Sequence, residues 1–125
     1  MKSYTTKIYY DDTDAGGVVY YANYLKLCER AKQEFFLKKG CDLFRLHYED
    51  IYLIVKHVDA EYIKSIKLGD IADVFVEVKS IKKASILLHF DIKVEDELMA
   101  SIDILSASIK KGGKLVRLPD CAKLL

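Results

Sequence analysis

Long apolar runs are missing from this chain of 125 residues. No stretch approaches bilayer-spanning length, and MKSYTTKIYY at the start has no apolar leader core, so neither membrane insertion nor export is expected. Cysteine is scarce. Cys28, Cys41 and Cys121 form an odd set without C-x-x-C spacing, which argues against a zinc site or a disulfide framework and favours a reducing cytoplasm. Proline occurs once, at Pro119, beyond every periodic segment. An excess of one charge is absent too: a formal net charge of +1 gives no general attraction to nucleic acid or to a membrane surface. There is no G-x-S-x-G motif and no Cys–His arrangement that would make a nucleophile. His47, His57 and His89 fall in separate elements without metal spacing, so they read as surface or satisfied residues and no metal is expected.

What remains is the composition of one globular α+β domain over residues 1–125, 51% hydrophobic and 31% charged. Thr5 to Asp11 suits a first strand. From about Ala22 the period becomes helical. Tyr24, Cys28, Ala31 and Phe35 recur on one face, widened by Leu25, Leu27 and Phe36, while Lys26, Glu29, Arg30, Lys32, Gln33 and Glu34 fill the other. Gly40 after Lys38-Lys39 is a natural stop, giving a helix of about 18 residues. Four further strands are expected: Ile51–Tyr62, Ala72–Lys79, Ile86–Val94 and Met99–Ile109, each bounded by turn residues. Short turns between consecutive strands predict an antiparallel meander, five strands in all, wrapped around the one long helix. Such a sheet leaves free edges that suit pairing with a second copy.

The segment Tyr10 to Tyr24, YDDTDAGGVVYYANY, carries the chemistry. It sets Asp11, Asp12 and Asp14 ahead of Gly16-Gly17 at a strand-to-helix junction. A helix beginning there points unpaired N–H groups back toward the turn. Gly16 and Gly17 let the chain turn and let a substrate approach the backbone beside Val18. A carboxylate next to such donors can attack a carbonyl or deprotonate a water, and both routes use its ionised form. The bland alternative for Asp14 is a turn or capping carboxylate. Asp12 reads as structural, Asp11 as solvent-facing, and Asn23 as either a bond to the turn or an ordinary helix residue. A calcium loop fails, because Gly16 takes a ligand position and Asn23 stands where a bidentate Glu is required. Glu29 and Glu34 read as members of surface pairs, such as Arg30 with Glu34. Tyr20 and Tyr24 suit core or channel walls.

Asp12-Thr13-Asp14-Ala15-Gly16-Gly17-Val18-Val19-Tyr20-Tyr21-Ala22-Asn23-Tyr24, followed by Cys28-Glu29-Arg30-Ala31 and Glu34-Phe35, resembles the hotdog-fold acyl-CoA thioesterases of the 4-hydroxybenzoyl-CoA thioesterase family. It is most similar to the bacterial branch encoded beside the Tol-Pal envelope genes. The resemblance implies hydrolysis of an acyl-CoA by Asp14, with the Tyr21 backbone N–H as oxyanion donor. It also implies basic residues near the third–fourth strand hairpin, here Lys82 and Lys83, holding the phosphates of coenzyme A, with no separate cofactor. A homodimer or a dimer of dimers is implied, and acyl carrier protein is a possible partner. One departure stands out: that branch usually has histidine where this chain has Tyr21, whereas hydroxybenzoyl relatives often carry an aromatic residue there. Two other readings follow from the same fold. A hydratase of acyl thioesters normally needs a histidine that the motif lacks. A non-catalytic domain binding acyl-CoA or acyl carrier protein would bind tightly without turnover.

Overall fold

The computed structural model describes residues 1–125. In chain order it contains β1 (Lys2–Lys7), a single 3-10 turn (Tyr10–Asp12), α1 (Asn23–Lys38), α2 (Leu43–Tyr48), β2 (Ile51–Tyr62), β3 (Ile71–Ile81), β4 (Ser85–Val94), β5 (Glu97–Lys110) and α3 (Asp120–Lys123). The strands form one antiparallel sheet in the order β1-β3-β4-β5-β2. The expected meander therefore holds only for β3-β4-β5. β2 lies at the far edge against β5, and residues 63–70 cross back to reach β3. The short-turn argument fails there because those eight residues make an extended crossover and not a hairpin.

Period decides which face is buried. Ala72, Val74 and Val76 of β3, Ile86, Leu88, Phe90 and Ile92 of β4, and Ala100, Ile102 and Ile104 of β5 all point to the helix side and are buried. α1 lays Tyr24, Leu27, Cys28, Ala31, Phe35 and Phe36 on them, completing a single core. Burial pushes the Cys28 thiol well above its ordinary range, so it packs as a small apolar group. α1 stops at Gly40, whose φ of +84° permits two closing bonds: Gly40 N–H to the Leu37 carbonyl at 3.0 Å and Cys41 N–H to the Phe36 carbonyl at 2.8 Å. Arg30 reaches the Tyr4 hydroxyl at 3.3 Å instead of Glu34. Lys32, placed by its period on the polar face, is buried.

The 3-10 turn, α2, α3 and a disulfide lie outside the sequence expectation. Asp42 caps α2 by accepting from the Phe44 and Arg45 N–H groups at 3.0 and 3.2 Å. A disulfide joins Cys41 to Cys121 across 80 residues, tying the end of α1 to the C-terminal turn. The odd cysteine count misled: two of the three meet in space and Cys28 alone is left free. With the bond in place, cysteine usage no longer points to a reducing compartment. No helix is long and apolar enough to cross a membrane.

The outer face of the sheet is polar. His89 of β4 sits opposite Asp103 of β5, with Nδ1 2.6 Å from Asp103 Oδ1 and Nε2 2.8 Å from Asp91 Oδ1. Burial opposes the imidazolium, but hydrogen bonds to Asp103 and Asp91 and their charges outweigh it and raise the pKa of His89 above its ordinary 6.5. A raised folded-state pKa adds stability that is fully present below about 6.5 and is lost as pH rises through the folded value. Thermal melts between pH 6 and 9 should therefore show the wild type losing stability upward through this range, with His89→Gln losing less; parallel curves would exclude the effect. For the disulfide, a closed loop of this length contributes about 4–5 kcal/mol in the chain-entropy account. Cys121→Ser, or reduction of the wild type, should lower Tm by more than about 10 °C. Unchanged melting under reductant would show that the bond contributes little.

Candidate active site

The loop from Thr13 to Val19 is held on both sides by backbone. Thr13 pairs with Val19 and Val18 with Lys67, while Val19 N–H donates to the Ile66 carbonyl at 2.8 Å and Leu68 N–H to the Gly17 carbonyl at 3.0 Å. The crossover between β2 and β3 is thus a rail on which the loop is fastened. Asp14 N–H donates to the Val18 carbonyl at 2.9 Å, and Gly17 N–H returns to the Asp14 carbonyl at 3.1 Å, closing the tip. Gly17 has φ of +78°, a left-handed conformation that a side chain disfavours. Gly16 matters through space: a Cβ there would lie 3.2 Å from Asp14 Oδ1, an oxygen that accepts from the Gly16 N–H at 2.8 Å. The Asp14 side chain is exposed at this tip.

Asp12 fixes the approach to the helix. Its carboxylate accepts from Tyr9 N–H at 2.9 Å and from Lys26 Nζ at 3.1 Å, and its carbonyl accepts from Tyr20 N–H at 3.1 Å and Asn23 Nδ2 at 2.8 Å. Burial resists its ionisation, but the Tyr9 N–H and the Lys26 ammonium hold its carboxyl below the usual range. The structural reading of Asp12 and the turn-binding reading of Asn23 both hold, and Asp11 is exposed. Past this anchor, the N–H groups of Tyr21 and Ala22 have no protein partner, as the start of a helix leaves them. They open beside a group of aromatic rings. Tyr62 stacks on Tyr24 at 4.9 Å, meets Tyr21 edge-on at 6.5 Å and donates its hydroxyl to the Tyr21 carbonyl at 3.1 Å; Tyr20 lies 4.8 Å from Tyr21. Tyr24 is buried, while Tyr20 and Tyr21 are exposed. Tyr62 ends a strand in the sequence pattern, and nothing there signals its reach across to α1.

Lys82 and Lys83 are exposed on the β3–β4 hairpin, far from Asp14. The Asp14 loop rests on residues 66–68, just before β3, and the 11 residues of β3 then run to the hairpin. That strand is roughly 35 Å long at about 3.3 Å per residue, so the lysines and the aspartate do not meet within one chain. The C-terminal segment docks on the hairpin, with Leu118 N–H donating to the Lys83 carbonyl at 2.9 Å. No group of three or more His, Cys, Asp or Glu side chains is placed to hold a metal ion.

The thioesterase-like superfamily pattern matches residues 9–123. The acyl-CoA thioesterase YbgC of Helicobacter pylori is 32% identical over 110 residues, covering 85% of this chain and 80% of that one. Its namesake in Haemophilus influenzae is 36% identical over 110 residues, covering 87% and 76%. The solved DHNA-CoA thioesterase of Staphylococcus aureus superposes with a TM-score of 0.88 at 25% identity, covering 92% of this chain and 78% of that chain. The α+β hotdog architecture and these matches define the class, and this chain belongs to the thioesterase-like superfamily. Within that class it is an enzyme, a thioester hydrolase.

Removing the Asn23 amide should loosen the junction of loop and helix. Asn23→Ala is expected to lose about 1 kcal/mol of stability by denaturant titration, the value of one part-buried hydrogen bond. No change in midpoint would mean that Asp12 holds the junction alone.

Proposed function

We propose that the protein hydrolyses acyl-CoA thioesters to a free acid and coenzyme A. Asp14 delivers the attack, either on the thioester carbonyl or through a water it deprotonates, and the N–H of Tyr21 receives the oxyanion. The observation that carries this reading is a carboxylate on a rigidly fastened loop leading directly into a helix mouth with unpartnered N–H groups. Donors of that kind are worth about 2.7–4 kcal/mol each when aimed at a developing oxyanion. Val18, Gly16 and Gly17 form the backbone wall of the approach, Asn23 steadies it, and Tyr20 flanks it. The curated relatives named for acyl-CoA thioesterase activity support the substrate class.

The separation of Lys82 and Lys83 from Asp14 supports a site built by two copies. One subunit supplies the loop and helix mouth, and its partner supplies the hairpin lysines for the phosphates of coenzyme A. β2 is the edge on which such a dimer forms: it pairs on one side only and exposes Ile54 and Val55. The active unit is a homodimer, alone or paired into a tetramer. Coenzyme A enters as part of the substrate, and no further cofactor is required. An acyl carrier protein thioester presents the same reacting group and is a second acyl donor. Coenzyme A thioesters are intracellular metabolites, and on that ground the enzyme acts in the cytoplasm.

Thiol release from a panel of acyl-CoAs tests the proposal. Wild type should hydrolyse at least one of them, and Asp14→Ala should lower kcat by about 10²–10⁴-fold with an unchanged melting curve. A variant as active as wild type would move the chemistry away from Asp14.

A further inference from the structure

One cavity, of about 250 Å³, lies where α1, α2 and the first residues of β2 meet, with Pro119 at its side. Leu43, Phe44 and Ile51 make it largely apolar, yet α1 contributes Glu29, Lys32 and Gln33. Lys32 is only 3% exposed, a costly place for an ammonium. Its Nζ lies 2.8 Å from Glu29 Oε2 and has no other partner. The second carboxylate oxygen of Glu29 accepts from Gln33 Nε2 at 3.2 Å. An ammonium has three donors, so the buried Lys32 retains unused capacity, while Glu29, half exposed at the cavity's rim, keeps acceptor sites open toward it. A leucine or methionine would fill the same space at no such cost.

β2 connects this cavity to the helix mouth. It begins at the cavity with Ile51 and Leu53 and ends where Tyr62 stacks on Tyr24 and bonds the Tyr21 carbonyl. α1 gives the shorter path: from Tyr21 to Glu29 the helical rise is roughly 12 Å, whereas β2 runs roughly 30 Å from Leu53 to Tyr62. The oxyanion donors and the Lys32–Glu29 pair therefore mark two ends of one line along α1.

We infer that the cavity receives the distal end of the acyl group, and that Lys32 and Glu29 select chains carrying a hydroxyl there, about 12 Å from the thioester carbon. This rests on the acyl-CoA hydrolysis proposed above. The hydroxyl oxygen accepts from the Lys32 ammonium while its proton is donated to Glu29, so a neutral group satisfies both without parting them. An anionic tail competes with Glu29 for the same cation. A methyl terminus covers both polar groups and offers neither a bond.

The test uses pairs of CoA thioesters matched in chain length, one member of each pair hydroxylated at its far end, in short and medium lengths. Wild-type kcat/KM should favour the hydroxylated medium-length member by at least about tenfold, with no such preference among short chains. In Lys32→Met the preference should collapse toward unity, and Glu29→Gln, which leaves the cation in place, should weaken it. Equal rates within the wild-type medium pair, or a preference that survives both substitutions, overturns this inference alone. Hydrolysis of no thioester in the panel overturns the proposed function and this selectivity with it. The wild-type comparison decides the matter even if Lys32→Met fails to fold.

Discussion

The pairing of the Thr13–Val19 loop with the β2–β3 crossover is the constraint on which the rest depends. A loop proposed to carry the attacking carboxylate is useful only if its backbone is as fixed as a strand. Here the Val19–Ile66 and Leu68–Gly17 bonds make it one. The crossover itself is held by Ile63 and Lys64 N–H groups on the Met99 carbonyl at 2.9 and 3.0 Å, which refer it to β5. The chain of support thus runs from central sheet to crossover to loop to Asp14, backbone to backbone. A site built this way owes little to side-chain packing around the aspartate, which explains how Asp14 can stand exposed and still be well placed.

α1 serves both ends of the proposed reaction. Its first residues open N–H groups toward the loop, and its middle carries Glu29 and Lys32 to the edge of the cavity. The helix keeps this double role because its opposite face is fully committed to the sheet. Tyr24, Leu27, Cys28, Ala31 and Phe35 are all buried, leaving no freedom to rotate. Rotation by a single residue, about 100°, would strip that core and displace the mouth together.

Much of this was legible in the sequence where period or turn chemistry spoke alone. The strand limits of β2 coincide with the reading of Ile51–Tyr62, and the Tyr24–Phe36 face is the one that packs. The loop glycines and Asp12 also behave as their residue types suggest. Long-range relations were not legible. That Tyr62 reaches Tyr21, that Cys41 meets Cys121, and that β2 pairs with β5 are facts of topology, with no local pattern to announce them. Lys32 shows another limit. Helical period placed it among polar neighbours, but α2 covers that side, and the Asp42 cap that starts α2 went unread although its residue type favours the position.

The disulfide divides the polypeptide in a way that the sheet order conceals. Residues 41–121 form a covalent ring enclosing β2 through β5, while β1, the aspartate loop and α1 hang outside it. The arm proposed to carry the chemistry is therefore joined to the ring only by the backbone at Gly40, by its hydrogen bonds and by the buried face of α1. A backbone cut between residues 41 and 121 would leave its two pieces covalently joined, whereas one between α1 and Cys41 would sever the aspartate loop and its helix from the ring.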